Sequence, residues 1–269
     1  ILKDDGGNLV TPLKLQKTKL LPSLEGVTWG NMATSLSLDI KRSKIDVQIV
    51  QKKSDNKLKY ELFQRLNTLG SRLSDQELRN CLMIMTNKPF YEWVQNLSND
   101  TNFLNTLSLS DKLLEEKYHM ELVLRFLVFK NSTLQEIKSS NDISEFISEK
   151  TQEMALDSEF NLENERGIFL KVFKILNLTL EDDTFKKYYV ESSSFKGKFL
   201  ISSFEAITIG LSKSIEQWDE ETDIGELKQK LINLWSEATF TENIGAGANF
   251  FSRIPQIMPF SEDFFKNEN

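Results

Sequence analysis

The spacing of apolar and polar positions changes along the chain. Ile45-Asp46-Val47-Gln48-Ile49-Val50 alternates apolar and polar side chains and runs into the charged turn Lys52–Lys57, the pattern of a half-buried strand. Leu9–Leu15 carries a weaker version of it. Gly6-Gly7, Pro12, Pro22, Gly26 and Gly30 punctuate this first part, which predicts as loop-rich. From Leu58 the spacing becomes helical, with Leu58, Leu62, Phe63 and Leu66 on one face. That pattern stops at Asn67-Thr68-Leu69-Gly70, where the glycine can take the left-handed conformation that ends helices. Ser74-Asp75-Gln76-Glu77 then reads as a capping box, Ser at the N-cap and Glu three residues on. The helix it opens is expected to bury Leu78, Cys81, Leu82 and Met85 before Asn87-Lys88-Pro89 stops it.

The remainder predicts as helical throughout. Tyr91–Leu97 is a short amphipathic piece, and a long helix starts at Ser110-Asp111. It becomes almost wholly apolar over Leu122–Phe129, so its end is expected to be buried on all sides. Ile143, Phe146, Ile147, Thr151 and Met154 form one stripe at helical spacing, and Phe169, Leu170, Phe173 and Leu176 another. Phe199–Trp218 and Ile224–Trp235 supply two more. Phe126, Phe129, Phe146, Phe169, Phe173, Phe199 and Phe204 fall on these stripes, which assigns them to core packing before ligand stacking. The expected fold is mainly α: a small α/β piece over residues 1–87, then a multi-helix bundle over residues 88–269, with the break near Thr86–Pro89.

Composition narrows the function classes. Hydrophobic residues make up 39% and charged residues 27% of the 269, the profile of a folded chain with a full core. No apolar run is long enough to cross a bilayer and no secretory apolar region stands at the start, so no membrane partner is expected and a cytoplasmic location is. A single Cys, Cys81, leaves no disulfide within the chain. With one Cys and one His the chain cannot supply the ligands of a structural zinc, and no metal site is assigned. A Ser-His-Asp triad could use only His119, which stands in a helical pattern beside core positions and reads as a packed helix histidine. No catalytic residue is assigned.

Charge is uneven. Residues 1–60 hold 11 Lys and Arg against 6 Asp and Glu, while the whole chain carries −7. Lys41, Arg42, Lys44, Lys52 and Lys53 are candidates for phosphate contacts, the alternative being a solvated lysine-rich surface. The overall acidity argues against a protein that simply coats nucleic acid.

A polar corner concentrates the chemistry. Arg65, Asn67, Thr68, Arg72, Gln76, Arg79 and Asn80 flank the turn between the Leu58 helix and the Ser74-capped helix. Guanidinium groups suit bidentate recognition of phosphate or carboxylate, and exposed amide groups at the turn favour an anion. The plainer alternative is that Asn67, Gly70 and Ser74 shape the corner while Arg79 pairs with a carboxylate such as Glu77 or Asp75.

Leu62-Phe63-Gln64-Arg65-Leu66-Asn67-Thr68-Leu69-Gly70, followed by Leu73-Ser74-Asp75-Gln76-Glu77-Leu78-Arg79-Asn80, resembles the phenylalanine–arginine–asparagine–threonine–glycine block of the GmrSD-type restriction-enzyme N-terminal family. Leu69 stands where many members have glycine. Phe204-Glu205-Ala206-Ile207 and Gly245–Phe260, with Arg253-Ile254-Pro255 and Pro259-Phe260, resemble the closing segments of stand-alone members. The resemblance implies a ParB/sulfiredoxin-like domain followed by helices, in a prokaryotic restriction or antiphage component that senses DNA and uses a nucleoside triphosphate. Arg65, Asn67, Thr68, Arg72, Arg79 and Asn80 would line or support the nucleotide/DNA-facing cleft. The family's Asp-Gly-Gln-Gln-Arg motif is absent from this sequence and lies upstream of the matching region, so the resemblance implies that the catalytic part of the ParB-like domain lies outside this chain. Any DNA cleavage would then need a partner nuclease. A second reading is a non-enzymatic helical module that binds or restrains a nuclease or toxin; homo-oligomerisation stays open in both.

Overall fold

The computed structural model describes residues 12–16, 21–44, 73–244 and 250–267. The chain forms two compact units, Ile1–Ser54 and Asp55–Asn269. Its described part is mainly helical, as the spacing predicts, with one small antiparallel hairpin. The strand expected at residues 45–50 and the helix expected at residues 58–66 lie outside the described residues.

In the first unit, a bridge pairs Lys14 with Thr28, held by Leu15 N–H donating to Val27 O and Gly26 N–H donating to Leu15 O. Gly26 sits at φ +75°, a region open to glycine at little cost. Helix α1 (Thr34–Arg42) follows and buries none of its residues.

The second unit opens with α2 (Asp75–Thr86), started by the predicted capping box. Ser74 Oγ accepts from the Glu77 amide, and the Glu77 carboxylate accepts from the Ser74 amide at 2.7 Å. Asn87 ends α2 and caps α3 (Lys88–Ser98), with Pro89 in the first turn, where its missing N–H costs nothing. The break at residues 86–89 is therefore a corner between two packed helices and lies inside the second unit, whose edge falls at 54/55. Asn87 also donates to Ala155 O at 2.7 Å, fixing the corner to the end of a later helix.

Next come α4 (Thr101–Asn105), α5 (Asp111–Glu115) and α6 (Tyr118–Asn131). The single long helix expected from residue 110 is split: Lys117 takes φ +60°, and the chain restarts at Tyr118. No glycine or proline marks the split, so sequence spacing could not show it. Helix α6 is apolar around most of its girth, and Leu122, Val123, Leu124 and Leu127 are fully buried. Helices α7 (Leu134–Ser139), α8 (Ile143–Leu156) and α9 (Leu162–Leu180) follow. The α8 stripe Phe146, Ile147, Thr151 and Met154 is buried as predicted, as are Phe169, Phe173 and Leu176 of α9. Phe103, Phe126, Phe169 and Phe173 meet at 4.5–5.8 Å between ring centroids, the edge-on and tilted geometry that aromatic cores favour.

Strands β1 (Lys187–Tyr189) and β2 (Ser194–Lys196) interrupt what spacing predicts as an all-helical region. Three-residue strands are too short to show alternation; Tyr188 paired with Phe195 across the hairpin, at 5.0 Å, is what they share. Helices α10 (Ile201–Ser214), α11 (Ile224–Asn233), α12 (Ala238–Thr241) and α13 (Phe250–Phe264) complete the unit. α10 and α13 lie in intimate contact. A methyl group at Gly210 would stand 2.4 Å from the Ser261 carbonyl oxygen, so only glycine allows this approach. Ser214 Oγ and Trp218 Nε1 both donate to Phe265 O, at 2.8 and 2.9 Å, and close the end of the pair.

Candidate functional site

Helix α2 carries its side chains against expectation. Leu78 and Leu82 are buried as predicted, but Cys81 is half-buried and Met85 is 54% exposed. In their place the helix buries Gln76, Arg79 and Asn80. Helix α2 packs against α3, α8 and α6, and α8 and α6 offer polar partners to Arg79. Burying such groups is tolerable only when each is matched. Gln76 Oε1 accepts from Arg79 Nε at 2.9 Å, and Gln76 Nε2 donates to Asn80 Oδ1 at 2.8 Å. Arg79 Nη1 donates to Ser144 Oγ at 3.0 Å, and Arg79 Nη2 pairs with Glu121 at 3.0 Å.

From Glu121 the network crosses the unit. Glu121 Oε1 accepts from Arg125 one turn on, and Arg125 Nη1 donates to Glu205 Oε1 at 2.8 Å. The other oxygen of Glu205 accepts from Arg253 Nη2. Arg79, Glu121, Arg125, Glu205 and Arg253 thus form an alternating ladder over α2, α6, α10 and α13, three guanidiniums against two carboxylates. Phe250 lies under the Arg253 guanidinium, 5.9 Å from carbon to ring centroid.

The electrostatics follow from burial. Desolvation pushes the Glu205 carboxyl above the ordinary carboxylate range, and Arg125 and Arg253 pull against it. Burial also disfavours the Arg125 charge, but Glu205 and Glu121 outweigh it and raise its pKa. Tyr118, beside the ladder, has its phenol pushed up to about 12, chiefly by desolvation. Glu205 has no exposed surface, so it cannot take a proton from a substrate, and arginines do not serve as bases at neutral pH. The arrangement is a frame that positions helices.

The predicted site residues separate accordingly. Arg79 is buried in the ladder, and Asn80 is buried beside it, bonded to Gln76. The carboxylate that Arg79 finds is Glu121, while Glu77 is engaged in the capping box. Arg65, Asn67, Thr68 and Arg72 lie outside the described residues, as do Lys52 and Lys53. Lys41 and Arg42 are exposed in the last turn of α1, with Lys44 just beyond it. Cations there complement the negative end of the helix, and Lys41 also covers the Trp29 ring at 5.7 Å. His119 is buried with Nδ1 unpartnered; burial and nearby Lys117 lower its pKa, which fits a packed helix histidine.

Sequence spacing missed Glu121, Arg125 and the pairing of Glu205 with Arg253. The available signal was incongruity: Arg125 stands inside Leu122–Phe129 and Glu205 inside an otherwise apolar run. A charge that must be buried needs an opposite charge from elsewhere in the chain. Among the described residues, no cluster of three or more His, Cys, Asp or Glu could hold a metal ion, and no helix is long and apolar enough to cross a membrane. Set against protein-family models, curated proteins and solved structures, the chain matches none.

Proposed function

We propose that this chain is the helical frame of a nucleotide-dependent DNA-sensing component of a prokaryotic restriction or antiphage system. One observation supports the reading above others. The three separate segments that carry the family resemblance contain Arg79-Asn80, Glu205 and Arg253 respectively, and these residues belong to a single buried network. Residues scattered over 175 positions of sequence need no common meeting point unless they share a role. In this reading Arg79 and Asn80 hold α2, and with it the Arg/Asn-rich corner ahead of it. Arg65 and Arg72 are the groups left to contact phosphate.

The test is nucleoside triphosphate hydrolysis and DNA binding by the protein as encoded in its gene. Arg65→Ala should abolish DNA or nucleotide binding with thermal unfolding unchanged, whereas Arg79→Ala should lower stability first. Wild-type binding by Arg65→Ala together with Arg72→Ala would remove the site assignment.

A second reading, a module that binds or restrains a partner nuclease or toxin, is favoured by Ile84 and Met85. They stand 45% and 54% exposed near the end of α2, and Leu156, at the end of the packed helix α8, is 64% exposed. Exposed apolar side chains grouped in this way mark protein contacts. Co-purification of a stoichiometric protein with wild type, lost in Met85→Glu, together with no nucleotide binding, would favour this reading over the first.

A further inference from the structure

The β1–β2 hairpin delivers the chain through Gly197, at φ +100°, to Lys198 and Phe199, and α10 then begins at Ile201. Opposite them lie Leu109, Leu113 and Tyr118, and the space between measures about 600 Å³. That is within the range of about 300–1,000 Å³ that small-molecule sites occupy. The ring of Tyr118 meets that of Phe199 edge-on, with centroids 6.5 Å apart at 89°, so one wall is a rigid aromatic corner. The lining contains a single charged side chain, Lys198, and no carboxylate. Some lysines of the unit are held by carboxylates: Lys130 binds Glu165, Lys150 binds Glu136 and Glu153, and Lys186 binds Asp182 and Asp183. Lys198 has no ion pair among the described residues.

We infer that this cavity binds a small amphipathic monoanion. An aromatic or branched apolar body fills the space between Leu113 and the Tyr118–Phe199 corner, and a carboxylate or sulfonate head meets the Lys198 ammonium at the mouth. Apolar walls supply affinity and the single cation supplies orientation, the division of labour common to such sites. The cavity shares Tyr118 with the surroundings of the charge ladder, but none of the five ladder residues lines it. A cationic ligand would find no carboxylate in this lining, whose remaining polar side chains are the hydroxyls of Ser108, Ser110 and Tyr118.

The probe is 8-anilinonaphthalene-1-sulfonate, an apolar body with one anionic head, titrated into the native protein and followed by fluorescence. N-phenyl-1-naphthylamine, which has the same body without the charge, serves as its neutral counterpart. The expected result is saturable binding at one site. Lys198→Glu should weaken the sulfonate by roughly tenfold or more, the scale of one charge-assisted contact, and leave the neutral probe within about twofold. Ser108→Trp, at an exposed loop position, should narrow the cavity and weaken both probes. Near-UV circular dichroism identical to wild type in each variant shows that the fold is kept, since neither position is in the core. Unsaturable binding to the wild type would overturn the proposal, as would equal sulfonate affinity in wild type and Lys198→Glu.

Discussion

Two groups of charged side chains in this protein make ion pairs of nearly equal length in opposite surroundings. At Lys150 the ammonium meets Glu136 at 2.6 Å and Glu153 at 2.7 Å, with the three side chains 21%, 40% and 63% exposed. At Arg125 the guanidinium meets Glu205 at 2.8 Å and Glu121 at 2.9 Å, with exposures of 13%, 0% and 14%. Distance does not separate the two groups; water does. Around Lys150 solvent screens the attraction and can replace either partner, so the pairs contribute little. Around Arg125 water has little access and none to Glu205, so each member makes the next one tolerable. The attraction there offsets a large desolvation cost, and breaking it exposes that cost in full. The buried group therefore specifies which helices must meet, while the surface group decorates helices already placed.

Removing one rung should give the largest effect. Arg125→Met keeps the apolar stem but leaves Glu205 with one cation and Glu121 with Arg79 alone, and should lower unfolding free energy by about 3–5 kcal/mol in urea titration. A loss under about 1 kcal/mol would erase the distinction between the two groups.

The next effect is a dependence on alkaline pH. The Tyr118 phenol ionises near its ordinary value of about 10 when unfolded and at about 12 when folded. Its contribution is therefore complete below pH 10 and lost as pH rises through 12, amounting to about 3 kcal/mol. Denaturation curves collected from pH 9 to 12 should show this slope, and Tyr118→Phe should remove it. Equal slopes in both proteins would place Tyr118 in water.

Smallest is the surface group. Lys150→Met should cost less than about 1 kcal/mol. Glu136 is held down to about 2, first by its hydrogen bond from Lys150 and then by Thr133 at its helix start. Its stabilisation is present above the unfolded value and fades as pH falls toward 2. In Lys150→Met the Glu136 carboxyl should titrate higher by carbon-detected NMR, while staying below the usual range because the Thr133 cap remains. An unshifted titration would mean that Lys150 does not govern it.

The same contrast explains what sequence could show. Helix stripes such as Phe146–Met154 and Phe169–Leu176, and the Ser74–Glu77 capping box, depend on local spacing and chemistry, and they are where spacing puts them. The ladder depends on partners 80 and 48 residues apart, which no local pattern encodes. Spacing therefore assigned Met85 to the core and left Arg79 for a ligand, because apolar residues are normally the buried ones. On α2 that preference is reversed, since Glu121 and Ser144 offer Arg79 a matched site. The split at Lys117 was illegible for a related reason: a left-handed lysine has no sequence signature. Of the candidate site, the corner's polarity was legible, and the division of its residues into anchors and contacts was not.

The buried charges should act as one coupled unit, and the surface charges should not. A pair of double-mutant cycles measures this most directly: Arg125→Met with Glu205→Leu, and Lys150→Met with Glu136→Gln, each by equilibrium unfolding. The expected coupling is about 1–3 kcal/mol in the first cycle and near zero in the second. Additive losses at Arg125 and Glu205, equal to those at the surface pair, would contradict it.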